Sequence, residues 1–407
     1  MRLRLAPDTS GCRYEAMEIS FRDCRIDLLS RQLWRGNEEV HVEPQVFDLI
    51  VLLTRHPKEV LSRDTLIAEI WNGVIVSDAT ISARISAARA ALGDSGQRQE
   101  VIRTVPRRGI MFVADLAGGP ATPPARRDKG PPAVHYASSA DGSAIAWSVS
   151  GAGRPLVRIG HWLSHLELDW KGPIWGELID RLGAENRVIR FDLRGTGLSA
   201  RDAPLTGIDD FVADLLAVID AAGEDRVSLY APSQAGPVAI AFAARYPEKV
   251  DRIAILGGYT EGRIHRAART DTVTEETMLD MIRAGWGRRE SAFMSAFSTL
   301  FVPDATPEQR DALVEMQLAT ADPETAVTLR QAIDRFLVTD LLEKVQAPTL
   351  VFHAENDAIH PMSQGQKIAA GIAGAEFIRL PGRNHVLLPQ EPGFAQMMDR
   401  LNPFLRS

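Results

Sequence analysis

Five prolines and three glycines between residues 117 and 132 divide this chain more firmly than anything else in its sequence. Proline fixes φ and removes a backbone donor, glycine resists ordering, and AGGPATPPARRDKGPP has no apolar period. Such a stretch cannot bury a core and reads as a semi-extended tether. It sets the expected organisation: one domain over 1–116, a linker over 117–133 and a second domain over 134–407, in keeping with a length of 407 residues. Residues 1–116 hold 16 Lys+Arg and 16 Asp+Glu, so the whole net charge of -7 falls on the remainder. That balance excludes indiscriminate nucleic-acid binding by the entire surface and leaves room for a local basic patch.

The only cysteines, Cys12 and Cys24, are too few for a disulfide framework. No stretch approaches the ~20 apolar residues of a membrane span, and no apolar h-region follows Arg2 and Arg4. A soluble, cytoplasmic protein with no membrane partner is expected.

Before the tether, alternating segments at 17–21, 24–28, 32–34 and 40–42 predict a small antiparallel sheet, and helical patterns follow at 44–54, 62–71 and 78–92. Two further strand-like runs, 100–104 and 109–113, enclose Pro106, Arg107 and Arg108. In the third helix Ile81, Ile85, Ala88 and Leu92 share one face, Ser77 or Asp78 caps the start, and Ser82 and Ser86 point the other way. Arg84 and Arg89 flank the apolar stripe. Arg103, Arg107 and Arg108 place three fixed charges within six residues, which suits phosphate contacts rather than base reading.

These residues carry a resemblance. Val60-Leu61-Ser62-Arg63, Ile70-Trp71, Val76-Ser77-Asp78-Ala79-Thr80-Ile81, Arg89-Ala90-Ala91-Leu92-Gly93-Asp94 and Ile102-Arg103-Thr104-Val105-Pro106-Arg107-Arg108-Gly109 occur in order, and together they resemble the winged-helix output domain of OmpR/PhoB-type response regulators over residues 17–115. The resemblance implies that helix 78–92 enters the major groove of double-stranded DNA and that 104–109 is the wing. It also implies contacts from Arg84, Ser86, Arg89, Thr104, Arg107 and Arg108, with Trp71 near the DNA backbone, and a homodimer on paired half-sites.

After the tether, apolar strands expected at 156–159, 188–191, 227–230, 253–256, 349–352 and 377–380 alternate with helices, as in a largely parallel sheet, and an Asp141-Gly142 turn opens it with a hairpin. Residues 260–344 are helical in pattern and strand-free, so a lid is expected over about 260–345. A strand–turn–helix at 227–245 carries Ala231-Pro232-Ser233-Gln234-Ala235, a G-x-S-x-G elbow with both glycines replaced by alanine. Serine needs a histidine base and an orienting carboxylate. Asp357 and His385 follow the strands at 349–352 and 377–380 in the expected order, with Glu355 as the alternative carboxylate.

This part resembles the α/β-hydrolase superfamily over about residues 134–405, through Asp192-Leu193-Arg194-Gly195-Thr196-Gly197-Leu198-Ser199 as well as the elbow. Gly160-His161-Trp162-Leu163-Ser164-His165-Leu166-Glu167 and Gly257-Gly258-Tyr259-Thr260-Glu261-Gly262-Arg263 look like hydrolase-like domains attached to bacterial regulators and cyclases. The resemblance implies backbone N–H groups of Trp162 and Gln234 as an oxyanion hole. His161, His165, Trp286, Phe293 and Phe297 are candidates to border a ligand pocket, with packing the preferred reading for His165, Trp286 and the two phenylalanines. His353 and His360 have no coherent set of metal ligands around them, so neither a metal nor a cofactor is expected.

The expected protein is thus a winged helix-turn-helix (α+β) fused to an α/β-hydrolase fold. It is a DNA-binding transcriptional regulator whose second domain binds, and hydrolyses or once hydrolysed, a small-molecule effector. The alternative is an active ester, lactone or amide hydrolase carrying a regulatory DNA-binding module.

Overall fold

The computed structural model describes residues 18–27, 31–36, 38–71, 76–106, 108–114, 116–117, 130–266, 275–289 and 291–407. The chain divides into two compact units, Met1–Arg127 and Asp128–Ser407.

In the first unit, β1 (Glu18–Phe21), β2 (Cys24–Asp27), β3 (Gln32–Arg35) and β4 (Glu38–Glu39) form an antiparallel meander. Helices α1 (Pro44–Arg55), α2 (Arg63–Trp71) and α3 (Asp78–Ala91) follow, with β5 (Val60–Leu61) before α2. Pro44 opens α1 where a missing N–H costs little, and Ser77 caps α3 by accepting from the Thr80 backbone N–H at 3.2 Å. A hairpin of β6 (Ile102–Val105) and β7 (Gly109–Phe112) pairs through β7 with β5, and β8 (Leu116–Ala117) returns to β1. Phe21 and Phe112 meet edge to face at 5.0 Å, joining the two sheets through the core.

Three expectations change here. The last meander strand pairs at Glu38–Glu39 rather than 40–42, because Trp34 and Arg35 face those residues in register. The sheet also claims Ala117, opposite Ser20, which the proline- and glycine-rich reading had given to the tether. The pairing of β5 was not foreseen, since two residues are too few to show a period.

In the second unit, eight strands run β9 (Val134–Ser138), β10 (Ala144–Ser150), β11 (Arg154–Arg158), β12 (Asn186–Phe191), β13 (Val227–Pro232), β14 (Val250–Leu256), β15 (Thr349–Ala354) and β16 (Glu376–Leu380). Across the sheet the order is β9-β10-β12-β11-β13-β14-β15-β16; β10 pairs antiparallel with both neighbours, β9 and β12, and the remaining pairs are parallel. Helices α4 (Leu166–Lys171), α5 (Gly176–Gly183), α6 (Ile208–Ala221) and α7 (Ala235–Arg245) lie between successive strands. Between β14 and β15 come α8 (Arg263–Arg266), α9 (Glu275–Gly285), α10 (Ala292–Phe301), α11 (Pro307–Thr320) and α12 (Pro323–Asp334), the helical insertion expected as a lid; α13 (Met362–Gly371) and α14 (Pro392–Arg406) finish the unit. Within the insertion, Glu261 and Leu337 make a single isolated bridge. The order reverses beside β11 and β13, and parallel strands deliver their C-terminal loops to such a point. No helix among the described residues is long and apolar enough to cross a membrane.

Candidate active site and DNA-binding unit

Ser233 follows β13 directly and has φ of 55°, a left-handed backbone that costs a non-glycine residue energy. Its N–H donates to the Leu256 carbonyl at 2.8 Å and its carbonyl accepts from Gly236 at 2.9 Å, so the turn into α7 is held from both sides. Ala231 and Ala235 are fully buried, as the tight elbow requires. A Cβ on Gly236 would stand 3.1 Å from the Gly258 Cα, so this glycine permits the close approach.

The loops after β15 and β16 bring Asp357 and His385 to that serine. The Nδ1–H of His385 donates to Asp357 Oδ2 at 2.7 Å, which leaves Nε2 to accept from Ser233 Oγ–H at 2.8 Å. Asp357 Oδ1 accepts from the backbone N–H groups of Ile359 and His360 at 2.8 and 3.0 Å. Burial opposes its charge, yet His385 and those two donors hold its carboxyl below the ordinary value. Glu355 is not a rival: it pairs with Arg379 at 2.9 Å, away from His385.

Gln234 follows the serine at the start of α7, and its Nε2 donates to the Gly160 carbonyl at 3.3 Å, tying the elbow to the segment that carries Trp162. His161 stacks on Trp175 with centroids 4.5 Å apart and donates from Nδ1 to the Trp162 carbonyl at 2.9 Å. Burial and the nearby Arg158 push its pKa down to about 4, so at neutral pH the ring is neutral and Nε2 is a lone-pair acceptor. His353 and His360 take part in hydrogen bonds of their own. The first donates from Nε2 to the His360 carbonyl at 2.9 Å, and Arg266 donates from both terminal nitrogens to His360 Nδ1 at 3.2 Å.

Ser233, His385, Trp162 and His161 line one largely apolar cavity, together with Phe301 of the helical insertion and Phe394 of α14. The other candidate pocket residues do not line it. His165 caps α4, its Nδ1 accepting from the Glu167 N–H at 3.3 Å. Trp286 donates to the Ala321 carbonyl at 2.9 Å, and Phe293 and Phe297 stack at 5.3 Å. The helical spacing of these aromatics is core packing, with Phe297 against Trp162 at 6.3 Å. Phe301, the last residue of α10, does reach the cavity. The contribution of α14 was missed, because a terminal amphipathic helix gives no sign of which apolar residue faces a cavity. Arg158 was missed too, although a charge inside the apolar run Leu156-Val157-Arg158-Ile159 was a usable signal.

In the first unit, Ser86 and Ser82 are exposed on α3, and Arg103, Thr104 and Arg108 are exposed on the β6–β7 hairpin. Arg107 lies outside the described residues. Arg89 is a correction: it is buried and donates to the Ile102 carbonyl at 3.0 Å and to Thr104 Oγ1 at 2.8 Å, because its long side chain turns inward under the hairpin. Arg84 is held by Glu43 at 2.5 Å and Gln45 at 3.2 Å. Trp71 is buried in the core of the unit.

The sequence matches a family model for the alpha/beta hydrolase fold over residues 164–392, more than half of the chain, and one for transcriptional regulatory protein, C terminal, over residues 37–112. It is 26% identical over 256 residues to the pyrrolizixenacetamide deacetylase of Xenorhabdus hominickii, across 61% of this chain and 91% of that protein. The N-terminal part is 39% identical over 86 residues to the transcriptional activator CadC of Escherichia coli (strain K12), across 21% of this chain and 17% of that protein. An esterase from Rhodococcus sp. ECU1013 shares the fold with a TM-score of 0.56 at 25% identity, covering 67% of this chain and 98% of its own. Strand order, elbow and family match agree over the larger unit, and the smaller unit has its own match: this chain belongs to the α/β-hydrolase fold family and carries an OmpR/PhoB-type transcriptional-regulator DNA-binding domain at its N-terminus.

Proposed function

We propose that the protein is a DNA-binding regulator in which the hydrolase-fold unit binds and hydrolyses a small acyl effector, and that occupancy of this site controls DNA binding by the winged-helix unit. The observation that carries the reading is the unbroken chain of hydrogen bonds from Ser233 through His385 to Asp357 at an apolar cavity. In this reading Ser233 Oγ attacks the acyl carbon as its proton passes to His385 Nε2. The imidazolium, stabilised by Asp357, then protonates the leaving group, and water reverses the steps to free the acid. Backbone N–H groups of Trp162 and Gln234 hold the oxyanion. On the DNA side, α3 enters the major groove with Ser86 outward, and Arg103, Thr104, Arg107 and Arg108 hold phosphates. A cytoplasmic homodimer on paired half-sites completes the proposal.

The test is intact-protein mass spectrometry after exposure to a serine-directed fluorophosphonate, with wild type beside Ser233→Ala. A single adduct that the variant lacks is expected. Its absence from folded wild-type protein overturns the hydrolytic part and leaves a non-catalytic receptor.

A further inference from the structure

Arg158 is the last residue of β11 and lines the cavity shared by Ser233, Trp162 and His385. It is 2% exposed. Its Nη1 donates to Asp169 Oδ2 at 3.1 Å, while Nε and Nη2 have no hydrogen-bond partner among the described residues. Those two nitrogens form one edge of the guanidinium plane. Their N–H bonds run parallel and fit the two oxygens of one carboxylate. A buried donor edge left without an acceptor is costly, so a fold that keeps one asks for something to complete it.

The surrounding charges point the same way. Arg158 and Arg190 sit opposite each other in register on β11 and β12, both almost fully buried. Burial lowers the pKa of Arg190 only to about 10, which leaves it charged at neutral pH. Asp169 supplies one carboxylate to the pair. Burial pushes the pKa of the neighbouring Asp192 up to about 8. Two guanidinium groups thus lie side by side next to Asp169, and a further carboxylate complements them. Trp175, Leu178, Leu387 and Phe394 are among the apolar residues of its walls.

We infer that this cavity takes a small, mostly apolar compound bearing a single carboxylate, gripped by the Nε–Nη2 edge of Arg158 with the remainder of the molecule reaching toward Ser233. The inference rests on the small-molecule reading of the same cavity and names its ligand class. Arg158 is then the residue that selects an acid over its neutral analogue.

Calorimetric titration of the full-length chain with hexanoate against hexanamide, and octanoate against octanamide, tests this. Each acid should bind about tenfold or more tightly than its amide, since a charge-assisted fork is lost with the amide. Arg158→Met should bring acid and amide to within about twofold, and Arg158→Lys, which keeps the charge without the fork, should restore only part of the preference. Equal binding of acid and amide by wild type, no binding of either, or a preference that survives in folded Arg158→Met overturns the inference. If Arg158→Met does not fold by circular dichroism, wild type and Arg158→Lys decide it, an unreduced preference in the lysine variant counting against the fork. Fluorophosphonate labelling of Ser233 reports separately on the hydrolytic reading. Acid preference without labelling sinks that reading alone, and labelling without acid preference sinks this one alone.

Discussion

Arg89 of α3 and Thr104 of the hairpin are joined by a hydrogen bond of 2.8 Å, and the same guanidinium reaches the Ile102 carbonyl at 3.0 Å. The helix and the hairpin that would meet DNA are therefore clamped together by a buried arginine. Arg89→Ala should destabilise the first unit by about 2–3 kcal/mol, since it strands acceptors and removes a buried aliphatic stem. Exposed Arg108→Ala should leave urea unfolding within about 0.5 kcal/mol of wild type, yet weaken DNA binding and lower the salt slope by about one. Urea unfolding with DNA titrations at several salt concentrations separates the two roles. Equal stability of both variants would contradict the clamp.

The left-handed backbone of Ser233 stores strain that its function would have to justify. Glycine relieves it and alanine does not. Ser233→Gly should therefore unfold at higher urea than Ser233→Ala, by about 1 kcal/mol, with both variants unlabelled by fluorophosphonate. An alanine variant as stable as the glycine variant would mean the turn is relaxed.

Much of this was legible in the sequence because periodic patterns and small-residue turns are local. The elbow at Ser233, the strands ending before Asp357 and His385, and α3 with its cap at Ser77 are all of that kind. What a long side chain does is not local. Arg89 reads as a surface cation beside an apolar stripe, and only the hairpin packed over α3 turns it inward. The aromatics of α10 and the preceding Trp286 likewise allow a pocket wall as well as core packing, and in the fold Trp286 and Phe297 are spent on Ala321 and Trp162. A stripe of apolar residues records that something is covered and leaves open whether the cover is protein or ligand.

Gly257 holds the back of the site. Its φ is +58°, and an added Cβ would lie 3.2 Å from His385 Cε1 and 3.3 Å from Asp357 Oδ2. Gly257→Ala should displace the imidazole from Ser233 and slow fluorophosphonate labelling by about tenfold to a hundredfold, because small misplacements of a base are costly. Stopped-flow labelling measures this directly. An unchanged rate would show that the ring tolerates the contact.

Asp94 links the end of α3 to the start of β6. Its carboxylate accepts from the backbone N–H groups of Ser95, Glu100, Val101 and Ile102 at 2.7, 3.1, 2.9 and 3.0 Å. Burial opposes its ionisation, but these four donors hold the pKa below 3.8. A depressed acid contributes stability that is fully present above its unfolded pKa and is lost as pH falls through the folded value. The first unit should therefore lose stability below about pH 4. Asp94→Asn can supply only one acceptor oxygen and should cost about 1–2 kcal/mol at neutral pH. It should also flatten the acid limb, because the titrating group is gone. Urea unfolding of wild type and variant between neutral pH and pH 3 checks both parts, and parallel acid limbs in the two proteins would show that Asp94 is not the group responsible.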